Sequence, residues 1–167
     1  VCGLEPDDEV IVSNLTFVAP VNAIRYCGAH PVLMDAHPET WQMDTEKVAR
    51  FLEEECVMKD GGCYNKRTTR RVRALLPVHI LGSACRMDRL VDLAKRYSIH
   101  VVEDACEGMG VFYKSRCVGT FGDVGVFSFN GNKIVTAGGG GMLVTRDAGF
   151  ADRARYLTTQ AKDDEME

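Results

Sequence analysis

Two residues stand out for chemistry, Asp104 and Lys133. Asp104 closes the run His100-Val101-Val102-Glu103. A carboxylate at the end of a buried strand is costly unless a cation answers it. Lys133 follows the aromatic-rich stretch Val126-Phe127-Ser128-Phe129-Asn130-Gly131-Asn132. A lysine held among apolar groups can serve as an amine nucleophile. On spacing alone two readings of the pair stay open. In one, Asp104 and Lys133 form an ion pair. In the other, a cofactor offers a carbonyl to the lysine and a ring nitrogen to the aspartate, and pyridoxal phosphate has both.

Other chemistries lose support from the same stretches. Gly131-Asn132-Lys133-Ile134 lacks the Gly before and the hydroxyl after the lysine that a P-loop requires. The run Gly138-Gly139-Gly140-Gly141 is followed by a strand, so it is no dinucleotide fingerprint at a strand-to-helix turn. The seven cysteines are Cys2, Cys27, Cys56, Cys63, Cys85, Cys106 and Cys117. They show no Cys-x-x-Cys, and no His-x-x-x-His accompanies them, so no metal site is expected. Irregular spacing in or beside apolar segments suits free thiols in a reducing compartment, and the cytoplasm is the expected location.

The elements that must position these residues alternate between two periods. Strands are expected over 9–13, 31–35, 73–79, 100–103, 124–129 and 141–145. Helices are expected over 17–27, 44–55, 87–97 and 147–158, with Gly28 as a C′ residue and Asp44 as an N-cap. Residues 56–73 break the pattern and are expected to form a loop or small hairpin. Strands separated by helices of this length make an α/β fold, a mostly parallel sheet sandwiched by helices. Ligands of such sheets collect at the carboxyl ends of the strands. Residues 14–17, 79–82, 104–107 and 129–133 all fall just past strand ends and should converge on one edge.

The 167 residues suffice for one domain with a real core. Hydrophobic residues make up 46% and charged residues 26%, which argues against disorder. A net charge of −4 disfavours a nucleic-acid platform; the basic cluster Lys66, Arg67, Arg70, Arg71 and Arg73 is local. No apolar run approaches the length of a membrane span, so no membrane partner is expected.

Several blocks occur in a recognisable order. They are Pro6-Asp7-Asp8-Glu9-Val10-Ile11-Val12, Leu15-Thr16-Phe17-Val18-Ala19, Gly28-Ala29-His30-Pro31-Val32, Leu76-Pro77-Val78-His79-Ile80-Leu81-Gly82 and Val102-Glu103-Asp104-Ala105. The stretch Gly119-Thr120-Phe121-Gly122-Asp123-Val124-Gly125-Val126-Phe127-Ser128-Phe129 follows, then Lys133 and the glycine run. Together they cover nearly the whole chain and resemble the DegT/StrS family of sugar aminotransferases. The resemblance implies a fold-type-I pyridoxal 5′-phosphate enzyme acting on nucleotide-linked keto sugars. By position, Lys133 matches the lysine that carries the cofactor, and Asp104 the carboxylate paired with its ring nitrogen. Glu107 matches the family's usual Gln near the ring hydroxyl, a conservative departure. Phe17 matches the aromatic that stacks on the ring, and Ser128 a hydroxyl at the phosphate. His79 ends a strand at the same edge and reads equally as a packed supporting residue. Glu103 and Asp123 read as structural.

Tyr64-Asn65-Lys66 with Arg70-Arg71-Val72, Asn130-Gly131-Asn132-Lys133 and Leu157-Thr158-Thr159-Gln160-Ala161-Lys162-Asp163-Asp164 look most like one subgroup. Its members aminate the 4-keto position of UDP- or GDP-linked 6-deoxy-N-acetylhexosamines for bacillosamine- and legionaminic-acid-type surface glycans. Glutamate is the usual donor. The resemblance further implies a homodimer, and that residues 1–167 are a partial large domain. The family's Gly-Thr/Ser-Ala phosphate turn lies upstream of the first block, and its small domain downstream. On that reading the 167 residues alone are expected to be inactive. Another fold-type-I enzyme, such as a desulfurase or aldolase, or a non-catalytic remnant serving as a binding module, is the alternative.

Overall fold

The computed structural model describes residues 1–161; the Lys162-Asp163-Asp164 portion of the subgroup resemblance lies outside the described residues. In chain order the elements are β1 (Glu9–Ser13), α1 (Ala19–Tyr26), β2 (His30–Met34), α2 (Thr45–Arg50), β3 (Cys56–Lys59), β4 (Gly62–Asn65), β5 (Arg71–Leu76), α3 (Met87–Arg96), β6 (His100–Asp104), β7 (Phe112–Tyr113), β8 (Arg116–Cys117), β9 (Val124–Ser128), β10 (Gly141–Thr145) and α4 (Ala148–Thr158). A wide helical turn, Phe51–Glu55, prolongs α2, and a short 3₁₀ turn, Ile80–Gly82, follows β5.

The main path of the sheet runs β10-β9-β6-β5-β1-β2. Strands β2, β1, β5, β6 and β9 are mutually parallel, and β10 returns antiparallel to β9. Register sets the two faces. Val10, Ala74 and His100 are aligned neighbours, as are Asp104 and Val126, so one face carries these residues with Val12. Helix α1 packs Ile24 against Val10, Val12 and Ala74 on that face. Phe150 of α4 meets the His100 ring edge-on at 5.6 Å. The opposite face carries Ile11, Leu75 and Val101 and is covered by Val48, Leu52, Leu90, Leu93 and Ala94 from the α2 and α3 regions. Helices therefore lie on both faces, and the two covered faces make the core.

Local chemistry explains the element ends. The Asp44 carboxylate accepts from the Glu46 and Lys47 amides, and Asp147 from that of Phe150, so both are N-caps. Helix α1 begins two residues later than expected. Pro20 sits in its first turn, where a missing N–H costs nothing. That leaves Phe17 outside the helix. Residues 56–65 form the β3–β4 hairpin, turned by Asp60 and Gly61 with φ of 50° and 74°. Two successive positive φ values match the twist of a two-residue hairpin. Strand β5 starts at Arg71 rather than 73, because β4 recruits Arg71 and Val72. It ends at Leu76, since Pro77 has no N–H to continue the ladder. The two-residue strands β7 and β8 were not visible in the sequence pattern; they pair around Lys114 and Ser115, both at positive φ. All seven cysteines are free. No helix among the described residues is long and apolar enough to cross a membrane.

Candidate active site

A cavity of about 420 Å³ opens at the carboxyl ends of the parallel strands. It is lined from four separate segments, and Phe17, Asp104, Glu107, Ser128 and Lys133 all contribute to its wall. The alternation of β6 points Asp104 to the α1 face and the cavity, while Glu103 points into the core. The Asp104 Oδ1 accepts the Cys106 amide at 3.0 Å, which turns the chain sharply after the strand. Burial, reinforced by the adjacent Asp104 carboxylate, pushes the Cys106 thiol up to about 12, so it stays a neutral donor. Ser128 closes β9 and its Oγ accepts the Asn130 amide at 3.3 Å.

Lys133 sits in the turn after β9, its amide donating to the Asn130 carbonyl. Its Nζ lies 3.8 Å from Glu107 Oε1. The other Glu107 oxygen accepts the Leu81 N–H at 2.6 Å. Leu81 holds a left-handed φ of 53°, an uncommon conformation for a branched aliphatic residue. The ion pair of the lysine is therefore with Glu107, not with Asp104 as in one of the two readings that spacing leaves open. Phe17 lies at the mouth with 78% of its surface exposed.

Thr16, Cys106, Asn130, Asn132 and the Val78–Ile80–Leu81 wall also line the cavity. Sequence reasoning did not single these out as site residues. Except for Val78, each lies in one of the short stretches just past a strand end, so position was the available signal. His79 lies between two wall residues but is itself fully buried and does not line the cavity.

The donor set suits pyridoxal phosphate. A primary amine, a carboxylate facing the same space, an exposed aromatic ring and a hydroxyl beside two Asn side chains converge in a cavity of the size small cofactors occupy.

Comparison with known proteins agrees with that chemistry. GDP-perosamine synthase of Caulobacter vibrioides is 40% identical over 161 residues, which is 96% of this chain and 39% of that protein. The chain thus spans about two fifths of the length of the curated relatives it matches. The crystal structure of a DegT DnrJ EryC1 StrS aminotransferase from Brucella abortus superposes with a TM-score of 0.86 at 28% identity, covering 99% of this chain and 42% of the other. NtdA of Bacillus subtilis, solved with the cofactor PMP bound, superposes with a TM-score of 0.79 at 26% identity, covering 99% of this chain and 35% of the other. PMP is the aminated form of pyridoxal phosphate, so the cofactor bound in NtdA is of the kind this donor set suits. The profile of one family matches residues 1–167, and the ordered motifs, the sheet and the cavity agree with it: the chain belongs to the DegT/DnrJ/EryC1/StrS aminotransferase family.

Proposed function

We propose that the complete protein is a pyridoxal phosphate-dependent aminotransferase that moves an amino group from glutamate to the 4-keto position of a nucleotide-linked 6-deoxy sugar. The observation that carries this reading is the convergence of Lys133, Asp104, Glu107, Ser128 and Phe17 on one cavity from four segments. The nucleotide-sugar substrate draws support from the GDP-perosamine synthase relative.

Bound pyridoxal phosphate supplies a carbonyl that takes up amines and a ring that withdraws electrons from an adjacent carbon. The chain's own residues do the rest. Lys133 Nζ would hold the carbonyl end and, once released, would hold and move a proton at the cavity floor. Asp104 would offer its carboxylate to the ring nitrogen, an arrangement in which a negative charge keeps that nitrogen protonated. Glu107 would face the ring hydroxyl, held in place by the Leu81 N–H. The Phe17 ring would cover one face of the cofactor and exclude water there. Ser128 and its Asn neighbours would supply part of the phosphate's hydrogen bonds. The rest of the phosphate site, the small domain and the homodimer partner belong to the complete protein on this reading.

The test is to incubate the full-length protein with pyridoxal phosphate, glutamate or glutamine, and a panel of UDP- and GDP-linked 4-keto sugars, reading amino-sugar formation by mass spectrometry. The expected result is glutamate-dependent amination that is lost in Lys133→Ala. Failure with every keto sugar, by a protein that retains cofactor, would move the reading to another fold-type-I chemistry.

A further inference from the structure

Beneath the cavity lies a polar cluster that the proposed mechanism does not use. Glu103 and His79 are both fully buried. A carboxylate in that position must be completely answered by donors, and Glu103 is. Its Oε2 accepts His79 Nε2 at 3.1 Å and the Gly119 N–H at 2.7 Å. Its Oε1 accepts the N–H groups of Phe121 and Gly122 at 2.5 and 2.7 Å. Burial alone would push the carboxyl up, but the His79 ring and the Gly122 and Gly119 amides outweigh it, and the net shift is downward. The imidazole tautomer follows from geometry. The Cys85 N–H donates to His79 Nδ1 at 3.1 Å, so the ring proton sits on Nε2 and points at Glu103.

The cluster joins segments that each carry part of the cavity wall. Glu103 immediately precedes Asp104 in β6. His79 lies between Val78 and Ile80, both wall residues. Its own N–H donates to the Asp104 carbonyl at 3.0 Å, and the Asp104 N–H donates to the Pro77 carbonyl at 2.9 Å. The segment His79–Gly82 then delivers the Leu81 N–H to Glu107. From the other side, Gly119 is pressed against β9. A Cβ on Gly119 would come within 2.5 Å of the Phe127 ring, and one on Gly125 would overlap the Gly119 carbonyl. Strand β9 ends in Ser128.

We propose that Glu103, with His79 as its neutral donor, is a positioning residue for this site: the buried bond between them sets where Asp104 and the Leu81 N–H stand relative to each other. The inference rests on the proposed function for what Asp104 and Glu107 act upon. Nothing in it requires the pair to touch substrate or cofactor. A displacement of about 1 Å in a reacting group is enough to lose roughly a hundredfold in rate, and loosening the His79 segment from β6 would permit one.

The test uses the full-length protein and two substitutions of His79. His79→Gln keeps an N–H donor for Glu103, whereas His79→Leu fills similar space without one. The readouts are the dissociation constant for pyridoxal phosphate by fluorescence titration, the absorption maximum of bound cofactor, and kcat and KM for amino transfer per cofactor-loaded site. Hydrogen exchange at the Leu81 and Phe121 amides is followed in the cofactor-free protein. The expected result for His79→Leu is a dissociation constant and a kcat each worse by roughly ten- to a hundredfold, an unchanged KM for the sugar, and faster exchange at both amides. His79→Gln should recover cofactor binding and kcat to within a few fold. If His79→Leu only lowers the melting temperature and leaves affinity, absorption maximum and per-site kcat unchanged, the pair is packing and the proposal is overturned. Should the wild type aminate no keto sugar, the proposed function fails, but the cofactor affinity and exchange rates still decide this inference. Equal losses in His79→Gln and His79→Leu would also overturn it.

Discussion

At Lys133, one distance shows how the amine is held. Its Nζ is 3.8 Å from Glu107 Oε1, a charge contact rather than a hydrogen bond, and one that leaves the amine free to turn. Borohydride reduction of the full-length protein with pyridoxal phosphate, followed by peptide mapping, should place the label on Lys133. Label on another lysine, with none here, would end that role. Asp104 makes a different demand. Asp104→Asn keeps the shape and can still accept the Cys106 amide, so cofactor should remain attached. The uncharged amide cannot hold a ring nitrogen protonated, so single-turnover reaction with glutamate should slow by roughly 10²–10⁴-fold. Near-normal rates would make the carboxylate structural. Glu103 carries a pH signature as well. Its folded pKa is lowered, so the unfolded state binds the extra proton and the group stabilises the fold above its unfolded value of about 4.3. That contribution falls as the pH drops through the lower folded value. Urea midpoints of the wild type should therefore decline below about pH 4 more steeply than those of Glu103→Gln. Parallel curves would sink the assignment.

Elements were legible where their ends carry local chemistry, and shifted where neighbours decide. The α2 and α4 starts follow from Asp44 and Asp147. The start of β5 does not follow from its own residues, because β4 supplies the partner that lengthens it. Two glycines separate local from tertiary demands. Gly61 has φ +74°, and no other group lies within 4 Å of where a Cβ would stand, so Gly61→Ala should cost only the left-handed penalty, about 1–2 kcal/mol. Gly125 meets the Gly119 backbone instead, and backbone cannot turn aside. Gly125→Ala should cost at least about 3 kcal/mol. Chemical denaturation of both variants gives the comparison; equal losses would mean that the loop over β9 yields.

For the whole molecule, part of the exposed apolar surface lies around the cavity mouth. Phe17, Val18, Leu81, Ile134 and Val135 are all exposed there or next to it. Surface of this kind marks a place where something else packs. Residues 1–167 expressed alone should therefore self-associate and bind a hydrophobic dye. They should also hold pyridoxal phosphate far more weakly than the full-length protein, because Ser128 and two Asn residues give only part of what a phosphate of about two negative charges requires. Light scattering and a cofactor titration on both forms test this. A monomeric, dye-silent chain with full cofactor affinity and amino transfer would refute it.

The alternation of strands and helices, the parallel sheet, the edge at which ligands gather and the family were all legible in the sequence. These follow from periodicity and from motifs that survive without coordinates. It also identified Lys133, Asp104, Glu107, Phe17 and Ser128 as candidates, and the cavity brings all five together. The motif resemblance already set Asp104 in the site and Glu103 in the structure; what came from packing alone is the set of partners each carboxylate of β6 meets. Glu103 and Asp104 are equal in charge and next to each other in the chain. A strand sends neighbours to opposite faces, and which face is core and which is cavity depends on where α1, α2 and α3 pack. Packing buried Glu103 among four donors and left Asp104 facing the cavity. No local pattern contains those donors, because they come from residues distant in the chain that meet only once the sheet has formed.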